Sequence, residues 1–273
     1  MPINIRKASG ELEPFSEEKV RSSLTRARID KGVQNEIIKR LSSRLYEGVT
    51  TRKVYSLIYG WLKNDKPYLA SRYNLKRAVM ALGPTGYPFE QFIAGVLVHC
   101  GFKTTVSRVI KGSCVTHEID VLAQKGDVRH MTECKFHNRQ GIKTNVKVAL
   151  YVYARFLDIA DTPIDFFAGK TANQALLATN TKLTSQAITY CRCKKMRVIS
   201  WNYPQGFSLR ELVEKESLHP ITCLSSLSRK EKQSLLNEGF VFCRDLTERE
   251  GWRSLVARNK LEEIRKEAGL VVK

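Results

Sequence analysis

His117-Glu118-Ile119-Asp120-Val121-Leu122, followed after a turn by Met131-Thr132-Glu133-Cys134-Lys135-Phe136, decides how the centre of this 273-residue chain reads. Both stretches have the residue types of strands, and together they make a hairpin. Residues i and i+2 of a strand share one sheet face, so Glu133 and Lys135 project together while Cys134 points the other way. Asp120 joins them from the neighbouring strand. Two carboxylates converging with an ammonium suit a site for Mg²⁺ or Mn²⁺, because a hard cation takes oxygen ligands and keeps waters free to attack a phosphate. The bland alternative is an exposed strand face carrying a cross-strand charge pair.

Composition bounds the partners. A hydrophobic content of 42% is enough for a proper core, and the formal charge of +19 points to a polyanion such as DNA. The excess is uneven: residues 1–82 carry 17 basic and 8 acidic side chains, 83–203 carry 16 and 8, and 204–273 carry 13 and 11. No long apolar run or signal peptide is evident, so a membrane role is not expected and the chain reads as cytoplasmic. Seven cysteines without a Cys-x-x-Cys pair read as reduced, packed thiols rather than a zinc knuckle.

Outward from the hairpin the chain divides into three segments. In residues 1–82, Ile3–Lys7 and Leu12–Phe15 flank a turn at Ser9-Gly10 as a β-hairpin. Helices follow over Glu17–Ala27 with Ser16 as N-cap, Asn35–Tyr46, Thr51–Leu62 with Thr51 as N-cap, and Tyr68–Met80. Gly83-Pro84-Thr85-Gly86 reads as a linker. In residues 83–203 an apolar helix carrying Glu90 precedes strands at Lys103–Val109, His117–Ala123 and Val128–Phe136. A helix over Lys143–Ile159, strands at Ile164–Phe167 and Gln174–Ala178, a helix from Thr184 to Cys193 and a strand at Met196–Trp201 complete an α/β domain with a mixed sheet covered by helices. Residues 204–273 read as a helical tail, with helices at Ser208–Lys215 and Ser228–Glu238 and one or two more over Thr247–Ala268.

Two resemblances attach to these segments. Ile5-Arg6-Lys7, Gly10, Glu13-Pro14-Phe15-Ser16, Glu18-Lys19-Val20, Gly48-Val49-Thr50-Thr51 and Ala70-Ser71-Arg72-Tyr73 together resemble an ATP-cone, a small α+β regulatory domain of ribonucleotide reductases. The resemblance implies ATP or dATP as an allosteric effector, with Lys7, Lys19 and Lys76 meeting phosphates, Thr51 near base and sugar, and a role for Glu13. The plain reading leaves Lys7 and Lys19 as surface charges. Gly86-Tyr87-x-Phe89-Glu90, His117 to Leu122, Glu133-Cys-Lys135 and Thr179-Asn-Thr-Lys182 resemble the Mrr-type restriction endonuclease domain of the PD-(D/E)xK nuclease superfamily. That resemblance implies metal ligands at Asp120 and Glu133, water activation by Lys135 and assistance from Glu90. Glu118 stands outside the pattern, either as a further ligand or as a cap on the solvent end of its strand. Thr179, Thr181 and Lys182 are candidates for a phosphate contact or for a helix cap. His117, His130 and His137 read as surface or substrate-facing side chains. Leu235 to Phe240 with Asp245-Leu246 faintly resembles a helix-hairpin-helix, against the plainer reading of a helical cap or oligomer contact.

The expectation is therefore a nucleotide-regulated, Mg²⁺-dependent endonuclease acting on DNA, of restriction or defence type and assembled as a dimer or larger homo-oligomer. Two alternatives stay open: a nucleotide-sensing DNA-binding regulator without cleavage, and a repair or junction-resolving nuclease.

Overall fold

The computed structural model describes residues 3–7, 9–139 and 141–273. Among them the chain is a mixed α/β protein with a five-stranded mixed sheet, two small sheets and twelve α-helices.

It opens with strands β1 (Asn4–Arg6) and β2 (Leu12–Pro14), paired antiparallel, followed by helices α1 (Glu17–Arg26) and α2 (Lys31–Ser42). Ser16 caps α1 by accepting the Lys19 N–H, and Asp30 caps α2 by accepting that of Val33, so α2 starts four residues before the position expected from its apolar repeat. Strand β3 (Val49–Thr50) pairs parallel with β1, completing a sheet of order β2-β1-β3 whose third strand is too short to read from sequence. Helix α3 (Thr51–Asp65) is capped by Thr50, whose hydroxyl accepts the Lys53 N–H, not by Thr51 as expected. The single helix expected over Tyr68–Met80 is two, α4 (Pro67–Tyr73) and α5 (Leu75–Met80). They break at Asn74, whose side chain instead accepts the Tyr55 hydroxyl at 2.7 Å.

Helix α6 (Tyr87–His99) leads into the long strands β4 (Lys103–Lys111), β5 (Thr116–Lys125) and β6 (Val128–Lys135). The stretch before α6 is not a free linker: a Cβ on Gly83 would lie 2.6 Å from the Phe136 ring, so close packing demands glycine there. After β7 (Lys143–Thr144) and the Asn145 cap come α7 (Val146–Ile159), β8 (Gln174–Thr179), β9 (Lys182–Leu183), α8 (Ser185–Cys193) and β10 (Arg197–Ile199). The main sheet has the order β10-β8-β6-β5-β4; β10, β8 and β6 run parallel, β5 and β4 antiparallel to their neighbours. The strand expected at Ile164–Phe167 is a 3-10 turn at Asp165–Phe167: the chain reverses through Ala168 and Gly169, both left-handed, and only Ile164 makes a bridge, to Lys170. Ile164 and Phe167 read as strand because both are apolar, and both are indeed buried. Helices α7 and α8 cover one sheet face through a core that includes Met131, Val152, Phe167 and Leu177.

Helices α9 (Leu209–Lys215), α10 (Arg229–Asn237), α11 (Asp245–Glu248) and α12 (Leu261–Val272) complete the chain. Of the one or two helices expected over Thr247–Ala268 the chain forms two, α11 and α12, parted at Gly251, whose φ of +95° starts a 3-10 turn. With α11 only one turn long, the second helix expected of a helix-hairpin-helix is not formed.

The chain groups into two units. The described residues up to Ala78 join His219–Leu235 and Phe242–Lys273; Val79–Leu218 join Leu236–Val241. This differs from the three consecutive segments read along the sequence, and the reason is a polar tie inside the first unit. The buried Glu267 carboxylate of α12 accepts the Ser71 hydroxyl of α4 at 2.8 Å, the Ser225 N–H at 2.8 Å and the Ser226 N–H at 2.9 Å. Arg72 adds hydrogen bonds to the Leu270 and Val271 carbonyls at the end of α12.

In the second unit, the β4–β5 turn is held by Asp158 near the end of α7. Its carboxylate accepts the Cys114 and Val115 N–H groups and pairs with His117 Nε2 at 2.7 Å, and these partners, His117 first, hold it down at about 2. A Cβ on Gly112 would stand 2.1 Å from Asp158 Oδ2 and 2.7 Å from the Val115 carbonyl. Gly112→Ala is therefore expected to lower the melting temperature by several degrees, read by circular dichroism; an unchanged transition would contradict this packing account.

Candidate functional site

The hairpin register brings the candidate residues together. Val121 pairs with Thr132, so Glu133 stands opposite Asp120 one step further on, and Lys135 comes next on the same face. On the other side Val106 pairs with Val121 and Arg108 with Ile119, which puts Ser107 opposite Asp120. Ser107 has a φ of +49°, a left-handed conformation that costs a non-glycine residue about 1 kcal/mol or more. Its hydroxyl donates to Glu90 Oε2 of α6 at 3.4 Å. Nothing in the sequence marks Ser107.

Three carboxylates here sit above their ordinary range, burial being the first cause in each. Burial, then the charges of Asp120 and Glu118, push Glu90 up to about 7. Burial, then Asp120 above all, push Glu133 up to about 7 against the opposing pull of Arg155 and Lys135. Asp120 is also raised, by burial first, although its Oδ2 accepts the Cys134 N–H at 2.7 Å. Glu118 is exposed and acts on Glu90 and Asp120 through its charge.

Arg155 is a site residue that the motif reading misses. Its guanidinium donates to Glu133 Oε2 and to the Glu118 carbonyl, and it is buried among the apolar residues of α7. A signal is present in the sequence: Ala149, Val152, Arg155 and Ile159 repeat at helical spacing and are all buried, so Arg155 is a cation within an apolar stripe.

Among the described residues, no group of three or more His, Cys, Asp and Glu side chains is arranged to hold a metal ion. The donor set fits a smaller demand. Asp120 keeps Oδ1 and Glu133 keeps Oε1 outside the hydrogen bonds just described, and one or two carboxylates with several waters are the usual protein share of a Mg²⁺ shell. The raised carboxylates give a sign. A carboxyl whose folded pKa lies above its ordinary value stabilises the fold below that ordinary value, and the contribution is lost as pH rises through about 7. In chelator, the melting temperature is expected to fall more steeply between about pH 5 and about pH 8 for the native protein than for Glu133→Gln, with Mg²⁺ restoring it at the alkaline end. Equal pH slopes for the two proteins would contradict it.

Other candidates are placed differently from expectation. Thr179 and Thr181 are buried and share hydroxyl contacts with Thr144, with Thr179 donating to the Lys135 carbonyl, so they brace the strand ends and are not open to a phosphate. Thr184 is the cap of α8. His130 is buried against Phe102 and not surface-facing, because its position on β6 turns it toward the α6 side of the sheet. His117 is tied to Asp158. In the first unit Glu13 bridges Lys7 at 2.9 Å and Lys19 at 3.0 Å, and Lys7 also meets Glu11. Thr51 begins α3 and Lys76 lies in α5.

Fold and site together define a mixed α/β protein with an acidic, partly buried cluster on its main sheet. The AF1548-like, C-terminal family model matches residues 219–272. An uncharacterised protein of Archaeoglobus fulgidus is 36% identical over 154 residues, 56% of this chain and 83% of the relative. A solved structure, that of the protein of unknown function AF1548, is 34% identical with a TM-score of 0.58, covering 69% of this chain and 98% of its own. The chain belongs to the AF1548-like family. This overturns the family assignment drawn from motifs, an ATP-cone fused to an Mrr-type nuclease domain. The motifs record local geometry that any strand hairpin or small α+β unit provides, whereas the family match extends into residues 219–272, where the sequence reading gives only a helical tail. No helix among the described residues is long and apolar enough to cross a membrane.

Proposed function

We propose that the protein is a cytoplasmic, Mg²⁺- or Mn²⁺-dependent endonuclease that hydrolyses DNA phosphodiesters. The observation that carries this reading is the convergence of Asp120, Glu133 and Lys135 on one face of β5 and β6, with Glu90 close enough to share their field. Asp120 and Glu133 would hold the cation, which supplies Lewis-acid polarisation of a phosphate oxygen and a more acidic water. Lys135 orients the nucleophile and stabilises charge developing on phosphate. Glu90, at about 7, exchanges a proton near neutral pH. Arg155 holds Glu133 in place beside Asp120. The +19 charge supports non-specific grip on a phosphate backbone, and two cuts in a duplex call for a dimer or larger assembly.

ATP or dATP as effector rests on Lys7 and Lys19, whose shared partner Glu13 would yield to phosphates. The finer view of the fold, a small nucleotide-binding unit beside a nuclease-like sheet, belongs to the same proposal. A second reading, a nucleotide-sensing DNA-binding regulator without cleavage, draws support from Arg155, since a guanidinium already neutralises Glu133 where a cation would be needed.

The test is cleavage of plasmid, linear duplex and single-stranded DNA with Mg²⁺, with and without ATP or dATP. Metal-dependent cutting that changes with nucleotide is expected. Nucleotide-dependent DNA binding with no cutting of any substrate would favour the regulator.

A further inference from the structure

A second feature of the Val79–Leu218 unit is independent of the acidic cluster. Near the start of β6, β8 and β10 lies a cavity of about 750 Å³, within the size range of small-molecule sites. Its walls are apolar and partly aromatic, from Leu97, Phe102, Leu176, Tyr203 and Phe207. Val128 and Phe207, both exposed, extend that surface outward. Two polar features interrupt it. His130 is 4% exposed; its ring meets the Gln174 backbone, while its Nδ1 is buried with no hydrogen-bond partner among the described residues. Burial holds this imidazole down at about 4, so it is neutral near physiological pH and can donate or accept. The rim carries three exposed cations, Arg192, Lys195 and Arg197. None of them forms an ion pair with a carboxylate among the described residues; Arg197 reaches only the Gln174 side-chain oxygen, at 3.4 Å.

We propose that this cavity binds a small aromatic anion, its ring between the apolar walls and its acidic group on the Arg192, Lys195 and Arg197 rim. Aromatic walls take a flat ring in offset or edge contact, and a guanidinium without a carboxylate is a strong partner for a carboxylate or phosphate ligand. A purely apolar ligand would leave the cationic rim unpaired, and a bare inorganic anion would leave the walls wet. Aromatic carboxylates and mononucleotides share this chemistry.

The test is calorimetric titration of the full chain with 1-naphthyl phosphate in chelator, which separates this site from metal-dependent chemistry at Asp120. Binding at least about tenfold tighter than that of 1-naphthol or of inorganic phosphate is expected. Arg192→Ala/Lys195→Ala, two exposed changes, is expected to weaken naphthyl phosphate at least about tenfold while leaving the weaker 1-naphthol binding as it was. Asp120→Asn should bind as the native protein does, whatever becomes of cleavage. Displacement by AMP would identify the mononucleotide source and displacement by 2-naphthoate the carboxylate source. Displacement by neither, binding no tighter than for phosphate alone, or unaltered binding in the rim variant would each overturn the proposal.

Discussion

Lys135→Ala is expected to reduce Mg²⁺-dependent DNA cleavage by about 10²–10⁴-fold, the range associated with loss of a positioned proton-transfer or charge-stabilising group. The reason is where Lys135 stands. It is the last residue of β6, exposed, on the same face as Glu133, and its charge acts on both Asp120 and Glu133. An exposed surface lysine contributes little to stability, so the melting temperature should stay within about a degree of the native value. Activity and stability thus separate in one variant. Asp120→Asn is the companion: it keeps an acceptor for the Cys134 N–H and removes the charge, so it should lose cleavage and Mg²⁺-dependent stabilisation together. Undiminished cutting by Lys135→Ala in gel assays would remove the lysine from the chemistry and, with it, the proposed role of the β6 face.

The second large effect concerns the first unit. Glu267→Ala is expected to destabilise the protein by about 3 kcal/mol or more, because it strands two backbone N–H groups and two hydroxyls in a buried setting. Burial raises the Glu267 pKa, but the serine hydrogen bonds outweigh it and the net shift is downward. A lowered folded pKa contributes stability that is present above the ordinary glutamate value of 4.5 and is lost as pH falls through the folded value. Denaturant titrations at neutral pH and in acid should therefore show native and Glu267→Ala proteins converging as pH drops. A constant difference across that range would mean that the carboxylate is not what holds α12 to α4.

Much of the second unit is legible in the sequence. The alternation of β5 and β6 carries its own face assignment, so Asp120, Glu133 and Lys135 can be put together from sequence alone, and Thr184, like Ser16 in the first unit, marks a helix start by an oxygen within reach of the N–H three residues on. Legibility fails where a neighbour distant in sequence decides the outcome. Asn74 breaks a helix in favour of the Tyr55 hydroxyl. Thr179 and Thr181 look like phosphate contacts until Thr144 is seen beside them.

By itself, then, the sequence determined features that depend on residues a few positions apart, the strand faces of β5 and β6 and the Ser16 and Thr184 caps, together with the basic charge. Only the tertiary structure decided that the last helix belongs with the first ones through Glu267, that Arg155 rather than solvent meets Glu133, and that Ser107 adopts a strained backbone opposite Asp120. Local patterns report backbone geometry, which repeats every two or 3.6 residues. Burial of a charge, and the choice of its partner, are set by which distant elements displace water from it, and no local period encodes that.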